Sequence, residues 1–313
     1  MPLSRTVSVL LIYLLVCCAS AQTELPPIFQ PEPRPMPASA QVEPDLRLET
    51  YFSSLTQGGV GLLRLGGDGI QRARAEFRGE TSLFFPADDG AWYSLIVADM
   101  HSHPRAYPLT VTVRRGSGDV VFEGQLRIDS ANFILQNLAL PASRAYLTDP
   151  KIESAELALL EALTSEIGPT PLWDATGFEL PHLSELTTPF GAFRRLAEAR
   201  QSRHTGWDQN VPVGTPVRAM AAGEARFAGA LAIRGNYVLI DHGLGIFSGY
   251  AHLSELHVEA GQRVKAGQII GLSGNSGRSS APHLHWEIAL RGNWVDGRAF
   301  LDLWLPAPSN AGA

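Results

Sequence analysis

The sequence predicts a mainly β protein in which two β-rich domains are joined by a short helical connector. Short alternating or β-branched runs, separated by turns rich in Gly and Asp, occur in both halves of the chain, as is typical of strands. One segment, residues 152–167, shows a clear helical spacing of apolar residues. The length of 313 residues is enough for two domains of roughly 150 residues each.

The charge balance argues against a nucleic-acid partner. The chain has 25 basic and 31 acidic residues, which gives a net charge of −6 at pH 7. Proteins that bind nucleic acid neutralise phosphates with clustered Lys and Arg. We therefore expect no binding to nucleic acid.

Residues 1–21 have the pattern of a signal peptide. Arg5 precedes an apolar run from Val7 to Val16, and Ala19-Ser20-Ala21 follows as a cleavage site of small residues. The run is shorter than the about 20 apolar residues of a membrane span. We expect a secreted, periplasmic or cell-envelope protein without stable membrane insertion after cleavage. A lipid anchor on Cys17 or Cys18 is a less favoured alternative, because no small residue precedes either cysteine.

Two predicted segments follow the signal. Residues 22–45 contain seven prolines, and such spacing favours an extended linker. Residues 46–140 contain strand-like runs at 82–85, 92–97, 109–113 and 120–122, with turns such as Asp88-Asp89-Gly90 between them. This order of strands and turns predicts a β-sandwich of the immunoglobulin-like type.

Residues 141–170 are predicted to form the helical connector. Leu159, Leu160 and Leu163 recur at helical spacing, and Glu153 and Glu156 lie in the first turns, where acids favour helix formation. Gly168-Pro169 is a normal helix stop.

The third predicted region, residues 171–313, is β-rich, and six of the nine histidines lie between His204 and His285. Three patterns contain candidate metal ligands: His204-Thr-Gly-Trp-Asp208, Tyr250-Ala-His252-Leu-Ser254 and His283-Leu-His285. On a strand, His283 and His285 would point the same way about 7 Å apart. A lone His-x-His is more often a polar strand face, but three patterns in one domain favour a zinc site with His and Asp ligands and one open position for water. A carrier domain, whose modified lysine would be Lys265, is the less favoured alternative.

The region from about Trp173 to Trp304 resembles the M23 family of zinc metallopeptidases, the lysostaphin-like and LytM-like peptidoglycan endopeptidases. The resemblance rests on these motifs in family order: Pro189-Phe-Gly-Ala-Phe-Arg194, His204-Thr-Gly-Trp-Asp208, Gly235-Asn-Tyr-Val-Leu-Ile-Asp-His-Gly243, Gly249-Tyr-Ala-His-Leu-Ser254 and Pro282-His-Leu-His-Trp-Glu287.

The resemblance implies a fold and roles for five residues. It implies a duplicated hybrid motif fold for residues 171–313 and one Zn²⁺ per chain. His204, Asp208 and His285 would be the zinc ligands, and His252 and His283 would be the catalytic pair that does not bind zinc.

The resemblance also implies a function. An exported zinc metalloendopeptidase would hydrolyse the peptide stems and cross-links of bacterial cell-wall peptidoglycan. The alternative is a LytM-type envelope protein without catalytic activity that activates cell-wall amidases. Relatives of that kind have lost zinc ligands, whereas this sequence has the complete set, so we favour the enzyme.

Overall fold

The computed structural model describes residues 37–43, 45–195 and 201–309. The predicted signal peptide and most of the predicted linker lie outside these residues. Across the described parts of the chain, no helix has both the length and the apolar composition to cross a bilayer. The mainly β prediction is confirmed.

Residues 39–129 form two five-stranded sheets. The first sheet has the strand order β1-β2-β4-β8-β7, with β1 (Ser39–Glu43), β2 (Leu46–Thr50), β4 (Val60–Gly67), β7 (Phe85–Pro86) and β8 (Trp92–Val97). The second has the order β3-β10-β9-β5-β6, with β3 (Ser54–Thr56), β5 (Ile70–Phe77), β6 (Glu80–Leu83), β9 (Arg105–Arg115) and β10 (Gly118–Asp129).

Strand β1 lies in the range that the sequence predicts as an extended linker. Residues 39–43 contain no proline, so each backbone N–H is available for ladder hydrogen bonds. They pair with β2 in antiparallel register, Ser39 opposite Thr50 and Glu43 opposite Leu46.

Strand β4 separates two hydrophobic cores. Leu63 and Leu65 pack between the two sheets, together with Val111 of β9. Leu62 points the opposite way, since side chains alternate along a strand, and belongs to a core that includes Trp173 and Trp286 from the C-terminal half. The first sheet is therefore buried on both faces, and the two halves of the chain share one of these cores.

The connector contains a strand and two helical segments. These are β11 (Leu135–Asn137), the 3₁₀ helix η1 (Ala142–Thr148) and α1 (Pro150–Ser165). Helix α1 begins two residues before the predicted start, because the Asp149 side chain accepts a hydrogen bond from the Lys151 backbone N–H and Pro150 occupies the first turn. Strand β11 pairs with β13 (Phe193–Arg195), which pairs in turn with β14 (Gln201–Arg203).

The C-terminal half is organised around an eight-stranded sheet with the order β12-β15-β23-β19-β18-β17-β21, to which β24 is added beside β23. Its strands are β12 (Leu186–Thr188), β15 (Trp207–Gln209), β17 (Gly223–Leu231), β18 (Gly235–Asp241), β19 (Ile246–Leu253), β21 (Arg263–Val264), β23 (Leu284–Leu290) and β24 (Asn293–Val295). A smaller sheet contains β16 (Pro216–Arg218), β20 (Glu255–Leu256) and β22 (Ile269–Leu272), and α2 (Gly297–Leu301) follows β24.

The register of the large sheet brings the histidine patterns together. Asp208 of β15 lies opposite His285 of β23, and Ala251 of β19 lies opposite His285 on the other side. His252, the next residue, has a φ of 61°. The immunoglobulin-like type of the sandwich, the duplicated hybrid motif and the domain limits stay predictions.

Candidate metal centre

Three buried side chains converge where β15 meets β23. His204 Nε2 lies 2.9 Å from Asp208 Oδ1 and 2.8 Å from His285 Nδ1. His285 Nδ1 lies 3.0 Å from the same oxygen of Asp208. Among the His, Cys, Asp and Glu side chains in the described parts of the chain, these three have ligand atoms close enough together to hold a metal ion.

The second nitrogen of each imidazole is held by a protein acceptor. His204 Nδ1 lies 2.8 Å from the carbonyl oxygen of Pro189, which can only accept, so this nitrogen carries the proton. His285 Nε2 lies 3.1 Å from a carboxylate oxygen of Glu287 and donates to it. Such partners fix the tautomer and the ring orientation of metal-binding histidines.

The donor set fits zinc. The neutral tautomers turn two nitrogen lone pairs and Asp208 Oδ1 towards one point. Two imidazole nitrogens and one carboxylate oxygen are typical protein ligands of a catalytic zinc site, which keeps its fourth position for water or substrate.

The pKa shifts of His204 and Asp208 favour the neutral imidazole and the ionised carboxylate, the forms that bind a metal ion. Burial, together with the charge of Arg194, lowers the pKa of His204 to about 4. Burial alone would raise the pKa of Asp208, but His204 and Arg194 hold it well below its usual range. His285 differs: burial opposes protonation, but hydrogen bonds to Asp208 and Glu287 raise its pKa. Metal binding at this imidazole therefore competes with a proton.

Arg194 holds the other oxygen of Asp208. Its Nη2 donates to Asp208 Oδ2 at 2.6 Å, and its Nε donates to Gln136 Oε1 of β11 at 3.2 Å. Asp208 therefore presents one oxygen to the imidazoles and the other to Arg194.

His252 and His283 lie next to this group, with ring centroids 4.7 Å apart. His252 Nδ1 donates to the carbonyl of Ser276 at 2.7 Å, and His283 Nδ1 donates to that of Ala281 at 2.8 Å. Both rings therefore carry a lone pair on Nε2, and His283 Nε2 lies 3.5 Å from Asp208 Oδ1. Burial lowers the pKa of both histidines, so both are neutral at pH 7.

All five residues predicted as ligands or catalytic groups thus lie in one cluster. The predicted region also contains Tyr250 and Trp286, and both are completely buried core side chains. The sequence motifs did not assign roles to Arg194 or Glu287, although both residues occur in them.

The sequence profile of peptidase family M23 matches residues 202–297. The chain contains a peptidase family M23 domain. All five clustered residues lie in this M23 domain, whereas Arg194, Gln136 and the connector precede the match.

Relatives and solved structures extend this finding. The chain is 44% identical over 97 residues to the peptidoglycan DD-endopeptidase ShyA of Vibrio cholerae, covering 31% of this chain and 23% of ShyA. It is 37% identical over 139 residues to the DD-carboxypeptidase/endopeptidase Mpg of Neisseria meningitidis, covering 44% of this chain and 31% of Mpg. The alignments thus span less than a third of the length of either relative.

The match to a solved structure extends beyond the M23 domain. A crystal structure of an M23-family protein from Pseudomonas aeruginosa superimposes with a TM-score of 0.60 at 27% identity, covering 79% of this chain and 95% of that one. The similarity therefore includes strands that precede the M23 domain.

Two clefts border the cluster of His204, Asp208 and His285. The first has a volume of about 290 Å³ and is lined by residues that include His204, His252, His285, Arg234, Leu157 and Trp294. The second has a volume of about 180 Å³ and is lined by residues that include Asp208, His283, Thr188 and Asn210. Leu157 belongs to α1, so the connector forms part of a cleft wall.

Proposed function

We propose that this chain is an exported zinc metalloendopeptidase that hydrolyses the peptide cross-links of bacterial peptidoglycan. The observation that carries this proposal is the cluster of His204, Asp208 and His285 beside two neutral histidines, within an M23 domain. The names of ShyA and Mpg support the substrate class.

The cluster would bind one Zn²⁺ through His204 Nε2, Asp208 Oδ1 and His285 Nδ1. When bound, zinc polarises a water molecule and the scissile carbonyl group and lowers the pKa of the water towards about 7. Arg194 and Glu287 keep Asp208 and His285 in the orientation that this binding requires.

His252 and His283 would move the protons of the reaction. With Nδ1 occupied by a backbone carbonyl, each ring can accept a proton at Nε2 from the attacking water and later donate it to the leaving amine. Such proton transfer typically contributes 10²–10⁴-fold to the rate. Because their pKa values are lowered, both rings are in the form that accepts a proton at neutral pH.

The two clefts suit an extended peptide substrate. They adjoin different members of the same cluster, His252 and His285 in the first cleft and Asp208 and His283 in the second. A peptide that crosses the cluster would place the residues before the scissile bond in one cleft and the residues after it in the other, as an endopeptidase requires.

The proposal is tested by digesting purified sacculi with the chain and analysing the released muropeptides. We expect loss of cross-linked muropeptides with the wild type and retention of them with His283→Ala at unchanged zinc content. If wild type and variant both bind zinc and leave the cross-links intact, the proposal is wrong and activation of a separate amidase becomes the function to test.

A further inference from the structure

A buried ion-pair network lies behind His285, on the side away from Asp208. Glu287 is its centre, with a side chain that is fully buried. Its carboxylate accepts hydrogen bonds from His285 Nε2 at 3.1 Å, from Arg234 Nε at 2.6 Å and from the hydroxyl group of Tyr237 at 2.8 Å. Arg234 Nη2 donates to the other oxygen of Glu287 at 2.9 Å, so a two-pronged ion pair with Arg234 holds this carboxylate beside the N–H of His285.

Arg234 connects Glu287 to the connector helix. Its Nη1 donates to Glu156 Oε1 of α1 at 3.0 Å. The Glu156 carboxylate also accepts the backbone N–H groups of Ile233 at 2.6 Å and Arg234 at 3.1 Å. Glu156 and Arg234 are each 6% exposed, so this guanidinium is held between two carboxylates at a largely buried position beside the first cleft.

The backbone of Arg234 also contacts His252, one of the two proposed catalytic histidines. The carbonyl of Arg234 accepts the backbone N–H of His252 at 2.7 Å. Arg234 therefore links to His285 through Glu287 and to His252 through its own backbone.

The charges of this network favour metal binding at His285. Glu156, Arg234 and Glu287 together carry one net negative charge, and charges act strongly on their neighbours in a buried, low-dielectric site. Glu156 offsets the charge of Arg234, so that Glu287 keeps its negative charge for the N–H of His285. A strong acceptor at this N–H makes the other imidazole nitrogen a better ligand.

We propose that Glu156 is a positioning residue of the metal centre, acting on His285 through Arg234 and Glu287. The inference rests on the metal site of the proposed function. It makes helix α1, which precedes the M23 match at residues 202–297, part of the metal-binding unit. A purely structural role, in which Glu156 anchors α1 to the backbone of Ile233 and Arg234, makes different predictions about metal affinity.

The test is the zinc affinity of the purified chain, measured by competition with a chromogenic chelator. We expect Glu156→Gln to weaken zinc binding by about 10-fold, at the lower end of the 10–100-fold typical of such changes. Glu161→Gln, on the exposed side of the same helix, is the matched control and should bind like wild type. The visible spectrum of the Co²⁺-substituted protein should change in Glu156→Gln and not in the control.

Two further variants separate charge from packing. Glu156→Asp keeps the charge at a greater distance and should bind zinc with an affinity between those of wild type and Glu156→Gln. In a Glu287→Gln background, Glu156→Gln should have little additional effect, because the path through Glu287 is already broken.

The proposal is overturned if Glu156→Gln folds and binds zinc as tightly as the control, or if Asp and Gln weaken binding equally. Should Glu156→Gln fail to fold, unchanged affinity in Glu156→Asp would overturn it. Failure of the proposed function gives a different result, since the wild type would then bind no zinc or would bind zinc without cleaving cross-links.

Discussion

The guanidinium of Arg194 lies 2.6 Å from Oδ2 of Asp208, while Oδ1 of the same carboxylate faces His204 and His285. The two oxygens therefore have separate partners. This division favours a single ligand oxygen, because a strong charge-assisted hydrogen bond holds the other one.

Arg194→Gln should weaken zinc binding by about 10-fold, since Asp208 loses the partner that orients it. The variant should also be less stable, because one member of a buried ion pair is removed. Chelator competition and thermal unfolding measure the two effects. Arg195→Gln, at the exposed neighbouring position, is the control, and equal affinities in the two variants would contradict the orienting role.

His252→Asn should abolish most of the hydrolysis and leave zinc binding nearly unchanged. Asparagine is chosen because His252 has a φ of 61°, a backbone region that Asn tolerates better than most residues. We expect a rate loss of at least about 100-fold, measured on cross-linked muropeptides at saturating zinc. His257→Asn, at an exposed position, should keep wild-type activity. A fully active His252→Asn would exclude His252 from proton transfer.

Gly206→Ala should displace β15 from β23. A Cβ at this position would lie closer to the backbone oxygen of Trp286 than Cβ atoms in proteins do. The strand that carries Asp208 must therefore shift away from His285. We expect a lower melting temperature and weaker zinc binding. Gly168→Ala, where a Cβ would meet nothing within 4 Å, is the control. Wild-type zinc affinity in Gly206→Ala would show that the close strand contact is not required.

His242 should make the fold sensitive to acid. Burial lowers its pKa to about 4, below the value of about 6.5 in an unfolded chain. The unfolded state therefore binds more protons between these values, and stability is lost as the pH falls through this window. We expect His242 to contribute about 2 kcal/mol to the loss of unfolding free energy between pH 7.5 and 5.

Urea unfolding of the metal-free chain at the two pH values measures this contribution, with metal removed because its binding depends on pH. His242→Gln should be less stable at pH 7.5, since the hydrogen bonds to Ala222 and Ser248 change. Its loss of stability on acidification should nevertheless be smaller than that of the wild type. An equal loss would exclude His242 as a source of the acid sensitivity.

The strands could be predicted where one local pattern determined them. The run at 92–97 is strand β8 at the same limits, because its apolar and aromatic residues lie between turns. Strand β1 was not predicted in this way, since the five residues Ser39–Glu43 lie within the proline-rich range of the predicted linker and gain their partner only from β2. The limits of α1 differ by two residues at each end from the prediction. At the N-terminus the difference arises because the Asp149 side chain caps the helix.

The site residues were predictable from motifs, but the groups that support them were not. His204, Asp208 and His285 occur in recognisable patterns, and the register of β15 with β23 then brings Asp208 opposite His285. Glu156 has no such signal, because an acid in the first turns of a helix normally interacts with solvent or the helix dipole. Its role depends on Arg234, which lies 78 residues further along the chain, and only the fold brings the two together.

The most direct test of the account is cleavage of a purified cross-linked muropeptide dimer by the metal-stripped chain, with and without one equivalent of zinc. We expect no cleavage without metal, restored cleavage with zinc, and no restoration in Asp208→Asn, with Asp302→Asn at an exposed position behaving like wild type. Cleavage by the metal-free chain, or full restoration in Asp208→Asn, would contradict the proposed zinc centre.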